Sequence, residues 1–235
     1  MNILIIGNSH VIALEAVLKH INISDYANLD FIAAAGGQVI EHYDFTSMTV
    51  KAKDKNALAF DIKNLDEYDV IFVYGLRLRS WADGTKNWLR LLTEASAEYL
   101  SAAVKQQMFK DYVTDSAHCR ALQLLGKLNL LDRVISVPSP LPIERESNFQ
   151  FKNNDLRLYE SSMAKEIQKL GVKFLNTPSE LNCDNGIFTK RLYKTSRDDD
   201  FNHIDEVGGK IVLKLFVENA YELKGRDLDK KWSEL

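Results

Sequence analysis

Three residues of this chain have the types that nucleophilic acyl transfer requires, and they lie near its two ends: Ser9, Asp200 and His203. In that chemistry a histidine takes the serine's proton as the hydroxyl attacks, and a carboxylate fixes the histidine's tautomer and stabilises the imidazolium that forms. An aspartate three residues before a histidine on a loop can bring both side chains to one place. Taken alone, Asp-x-x-His is weak, and an acidic run such as Asp198-Asp199-Asp200 is ordinarily a solvated surface. The weight therefore falls on the elements that position these residues.

Asn2-Ile3-Leu4-Ile5-Ile6 is a short β-branched run of the kind that makes a buried central strand. Gly7-Asn8-Ser9-His10 interrupts it, and apolar residues then recur at helical spacing, at Val11, Leu14, Val17, Leu18 and Ile21. Ser9 is thus expected on a tight strand-to-helix turn at a strand's carboxyl end, the edge where open α/β sheets bind ligands. There the first unpaired N–H groups of the helix can stabilise a developing anion. The competing reading is that Ser9 or Asn8 only caps the helix.

Four more strands are expected: Leu29–Ala35, Tyr68–Tyr74, Arg133–Val137 and Val172–Leu175. The first ends at Gly36-Gly37, which would let the backbone approach a ligand or simply turn. The second ends at Gly75, followed by Leu76-Arg77-Leu78-Arg79. Arginines at a strand's carboxyl end bind carboxylate or phosphate or stabilise an oxyanion, and equally serve as solvated or ion-paired surface. Helices are expected over Thr85–Gln107, over Ser116–Leu128 with Asp115 or Ser116 as cap, and over Asp155–Leu170 with Leu156, Tyr159, Met163, Ile167 and Leu170 inward. A closing helix carries Val212, Leu215, Phe216 and Ala220 inward. His118, in the second of these helices, reads as packing or capping. The stretch Glu41–Asn64 reads as loop with a short helix near Asn56–Ile62, and Pro138–Pro142 as a stiff extended loop at the sheet edge.

Alternating strands and helices, without repeats or linkers, predict one α/β domain over 1–235: a three-layer α/β/α, flavodoxin-like arrangement around a mostly parallel five-stranded sheet. An apolar share of 46% supplies a sizeable core, and a net charge of −3 shows no nucleic-acid footprint. Two cysteines far apart, Cys119 and Cys183, make neither a disulfide framework nor a zinc site and read as reduced thiols. With no signal peptide and no apolar run long enough to span a bilayer, the expected location is the cytoplasm. Nothing in the sequence sets the oligomeric state.

These blocks together resemble the SGNH (GDSL-like) hydrolase superfamily. Gly7-Asn8-Ser9 is similar to the family's Gly-Asp-Ser, with Asn in place of Asp. Gly36-Gly37 matches its backbone glycine after the second strand, and Asp200-Phe201-Asn202-His203 its Asp-x-x-His ahead of the last helix. One block departs: where the family has Gly-x-Asn-Asp, this chain has Gly75-Leu76-Arg77-Leu78, so Arg77 stands at the position of the oxyanion-binding Asn. The resemblance implies Ser9 as nucleophile, His203 as base and Asp200 as its orienter. The oxyanion would be held by the N–H groups of Ser9 and Gly37 (or Gly36) and by Arg77, with Asn8 beside them. No metal or organic cofactor is implied. The implied reaction is hydrolysis of a small-molecule or carbohydrate O-acyl ester. The Gly-Asn-Ser-His form is also similar to that of some SGNH O-acyltransferases of surface polysaccharides, which would need a soluble acyl donor here. A non-catalytic sugar- or anion-binding protein of the same fold is the alternative of a different class. A flavodoxin-like nucleotide binder is disfavoured by the lack of a glycine-rich phosphate loop.

Overall fold

Ile3, Leu4, Ile5 and Ile6 are all fully buried, because an inner strand covered on both faces has no solvent side on which to place a polar residue. Each such side chain removed from water contributes about 1.5–3 kcal/mol. A computed structural model describes residues 1–34, 38–55, 57, 62–76, 78, 100–141, 143, 153–184, 189–197, 200, 203–229 and 231–232, with 153–156 as backbone. In chain order its elements are β1 (Asn2–Gly7), α1 (Val11–Leu18), β2 (Asn28–Ala33), α2 (Val39–His42), β3 (Tyr43–Thr46), β4 (Thr49–Ala52), β5 (Lys63–Asn64), β6 (Val70–Tyr74), α3 (Ala102–Asp115), α4 (Ala117–Lys127), β7 (Val134–Val137), α5 (Asn153–Gln168), β8 (Lys173–Phe174) and α6 (Glu206–Leu223), with short 3-10 turns between them.

The main sheet has five strands in the order β2-β1-β6-β7-β8, every pair parallel. Ile3 lies opposite Leu29 on one side and Val70 on the other. Alternation sorts the side chains into two cores. Leu4, Ile6, Ile71 and Val73 pack with residues of α3, α4 and α5, while Ile3, Ile5, Val70, Phe72 and Tyr74 pack with α1 and α6. The result is the three-layer α/β/α arrangement expected. The strand order reverses direction at β1, with β2 on one side and β6 on the other. The carboxyl ends of β1 and β6 therefore open on the crevice where such sheets bind ligands.

The structure differs from the sequence expectation in several places. The expected loop at 41–64 contains a three-stranded antiparallel sheet, β3-β4-β5, with Thr46 opposite Thr49. The two-residue connection Ser47-Met48 carries no Gly or Asn to announce a hairpin, although Ser47 adopts a left-handed φ of 56°. Most of the expected helix near 56–62 lies outside the described residues; Ala57 within it bridges Ala34 instead. The expected helix over Thr85–Gln107 does not run unbroken: Ser101 accepts a hydrogen bond from the N–H of Val104 and starts α3 there, and α3 continues to Asp115. Residues 85–99 of that expectation lie outside the described ones. Ser116 caps α4 through the N–H of Cys119, as expected. In α6, Leu213 and Val217 are buried while Leu215 is only partly covered. Among the described residues no helix is long and apolar enough to cross a membrane, and Cys119 and Cys183 form no disulfide.

α1 and α6 cross closely enough to exclude a side chain at Gly209. A β-carbon there would lie 2.6 Å from the carbonyl oxygen of Ala13. That oxygen is backbone and cannot move aside without moving α1. Gly209→Ala is expected to destabilise the fold by about 1–3 kcal/mol, read as a lowered urea midpoint. An unchanged midpoint would show that the two helices separate freely.

Candidate active site

The turn Asn8-Ser9-His10 joins β1 to α1 without serving as a side-chain cap. The N-cap position is His10, and no side chain accepts a hydrogen bond there. The turn is held by its own groups: the Asn8 carbonyl accepts from the N–H of Val11 at 3.0 Å, and Asn8 Oδ1 accepts from the N–H of His10 at 3.2 Å. Asn8 is buried, and its carboxamide oxygen is thus engaged in shaping the turn. The Ser9 hydroxyl is left to face the far end of the chain, 2.7 Å from Nε2 of His203. That separation is within hydrogen-bond reach.

His203 sits just ahead of α6 on a segment tied at several points. Ile204 bridges Lys194, the N–H of Asp205 donates to the Tyr193 carbonyl at 2.7 Å, and Asp205 caps α6 through the N–H of Gly208. Nδ1 of His203 lies 2.9 Å from both carboxylate oxygens of Asp200, and the His203 N–H donates to Asp200 Oδ1 at 3.1 Å. A carboxylate can only accept, so Nδ1 carries the proton and Nε2 is free to accept from the serine hydroxyl. The His203 side chain is 32% exposed and that of Asp200 11%. The attacking end of the chain therefore meets solvent while the orienting end is covered. Gly36, Gly37 and Arg77, as well as Arg79, lie outside the described residues.

A residue the sequence reading passed over also belongs to this neighbourhood. The His10 ring packs 4.9 Å from that of His203, at an interplanar angle of 47°, and is buried. Burial, and after it the neighbouring His203, pull its pKa down to about 3, so it stays neutral. Its Nδ1 has no hydrogen-bond partner among the described residues. The available signal was its position directly after Ser9, on a turn that must pack against whatever approaches the hydroxyl.

His118 packs under the sheet, as expected, but as part of a polar network. It is fully buried on α4, with Nδ1 3.1 Å from the Gly75 carbonyl and Nε2 2.7 Å from Ser136 Oγ. Among the described residues no group of three or more metal-ligating side chains converges.

No protein-family model and no curated protein matches the sequence. In overall structure the chain is similar to a lipase/acylhydrolase from Enterococcus faecalis, with 10% identity over 95% of each chain and a TM-score of 0.44. It is similar to the aryl esterase of M. smegmatis, with 10% identity over 94% of this chain and 99% of that one and a TM-score of 0.46. A GDSL-like lipase from Bacteroides thetaiotaomicron VPI-5482 is a third neighbour, with 15% identity over 93% of this chain and 88% of the other and a TM-score of 0.42.

Proposed function

We propose that this chain is a divergent serine ester hydrolase of the SGNH type, built as one domain. The observation that carries the reading is the continuous hydrogen-bond chain from Ser9 through His203 to Asp200, at the carboxyl edge of the central strands. Residues separated by 194 positions meet there in the order that acyl transfer needs, with the tautomer that lets Nε2 act as base. In this reading Ser9 Oγ attacks the ester carbonyl while its proton passes to Nε2, and the Asp200 carboxylate stabilises the imidazolium. The tetrahedral oxyanion is held by the N–H of Ser9, by that of Gly37 or Gly36, and by Arg77 in the place of the family's Asn. The imidazolium then gives its proton to the leaving alcohol, and water, deprotonated by His203, releases the acid from the acyl-enzyme. The Gly7-Asn8-Ser9-His10 block is the reason to include carbohydrate esters among the substrates.

The experiment is release of p-nitrophenol from p-nitrophenyl acetate by the wild-type protein, followed by the same assay on Asp200→Asn. Turnover by the wild type is expected. The asparagine presents the histidine with the wrong hydrogen-bond partner and should lower kcat by a factor on the order of 10^4. A wild type that leaves the ester intact, yet moves an acyl group from acyl-CoA to a sugar, would replace hydrolase by transferase. Inactivity in both assays would favour a binding protein.

A further inference from the structure

The hydrogen bonds that aim His203 do not all last through the reaction proposed above. In the free protein Nδ1 is held by Asp200 and Nε2 by the Ser9 hydroxyl. Once Ser9 is acylated, Oγ is an ester oxygen without a proton, and the bond to Nε2 loses its donor. His203 must still stay in place for deacylation. In that step a water oxygen bonds to the acyl carbon as its proton passes to Nε2, the Oγ–acyl bond breaks, and Nε2 returns the proton to Oγ. A side chain 32% exposed and tethered only through Nδ1 is free to swing toward solvent at that stage.

His10 supplies a contact that acylation does not remove. Its ring packs 4.9 Å from that of His203 at a tilt of 47°, and the residue is only 8% exposed. Its backbone belongs to the same turn as the nucleophile, with its N–H donating to Asn8 Oδ1 at 3.2 Å. Behind it runs a series of packed rings. Tyr74, at the end of β6, lies 6.2 Å away; Phe216 of α6 meets Tyr74 edge-on at 5.2 Å; and Phe72 stacks on Phe216 at 4.3 Å. These three rings are fully buried, so His10 cannot yield without disturbing close-packed core. Burial, and after it His203, holds the pKa of His10 at about 3, against a smaller opposite pull from Asp200. The ring therefore adds no second charge beside the imidazolium.

We propose that His10 is a positioning residue, its ring the wall that keeps His203 aimed at Ser9 during deacylation, when the serine hydroxyl no longer holds it; this rests on the hydrolase reading above. The wall requires a flat, uncharged ring and not a nitrogen. That separates it from a role for His10 as a proton carrier.

The test reads the two half-reactions separately, with p-nitrophenyl acetate and wild type, His10→Leu and His10→Phe. The value of kcat/KM reports acylation, and decay of the acetyl-enzyme, followed by intact mass after rapid quenching, reports deacylation. His10→Leu fills the space without a planar ring. It is expected to slow deacylation about 10-fold or more, while kcat/KM stays within about 3-fold of wild type. His10→Phe restores the ring, and its acetyl-enzyme is expected to decay within about 3-fold of the wild-type rate. Both quantities are taken per acylated site, counted from the burst of p-nitrophenol, so a variant that folds poorly does not mimic the effect. Equal slowing of both steps, unaffected deacylation in His10→Leu, or a phenylalanine variant as slow as the leucine one would each overturn the wall while leaving the hydrolase standing. A wild type never acetylated on Ser9 would remove the hydrolase reading and the wall with it.

Discussion

Ser9→Ala is expected to lower the rate of p-nitrophenyl acetate hydrolysis by a factor on the order of 10^4 or more, without unfolding the protein. The hydroxyl's hydrogen-bond partner is His203 Nε2, so its removal leaves the turn, held by Asn8 and the backbone, in place. The loss should be one of chemistry, seen in kcat rather than KM. His203→Ala should cost about as much, and the two changes together scarcely more than either, because residues acting as one unit are strongly non-additive. Equal melting curves for wild type and Ser9→Ala would show that the fold is untouched. Ester hydrolysis indifferent to Ser9 would assign the activity to another group.

The second large effect is on stability toward acid. His10 and His118 are both buried and neutral, with pKa values drawn by burial from 6.5 to about 3 and about 4. In the unfolded chain both titrate near their ordinary value. Between pH 6.5 and about 4, then, the unfolded state binds protons that the folded state refuses. Stability is full above pH 6.5 and falls as the pH drops through that window, each ring contributing a slope on the order of 1 kcal/mol per pH unit. Urea denaturation across pH 7.5 to 4.5 measures it. His118→Gln and His10→Phe, neither of which titrates, should each flatten the curve relative to wild type. Slopes identical in all three proteins would mean that these rings are not held neutral by the fold.

The strands were the most legible feature of the sequence, because the strands of a sheet covered on both faces read as short apolar runs, most plainly the three inner ones, β1, β6 and β7. All five appear with boundaries shifted by a residue or two. The missed hairpin, β3-β4, has neither that signature nor a recognisable turn dipeptide, and its order comes from tertiary packing of Tyr43 and Val50 against the main core. The start of α3 at Ser101 was hidden in a longer helical periodicity, since one capping serine scarcely alters the pattern. Of the site, Ser9, Asp200 and His203 were readable by residue type and by place in the chain order. The roles of His10 and His118 were not. Each is defined by what lies across the fold from it, His203 in one case and the Gly75 carbonyl in the other, and no local pattern encodes such a neighbour.

The most direct test of the account is labelling with a fluorophosphonate, which forms a stable tetrahedral adduct on an activated serine whatever the natural substrate. Intact mass followed by peptide mapping is predicted to show a single adduct, on Ser9, that is absent from Ser9→Ala and forms far more slowly in His203→Ala. An unlabelled wild type, or an adduct on any other residue, would contradict it.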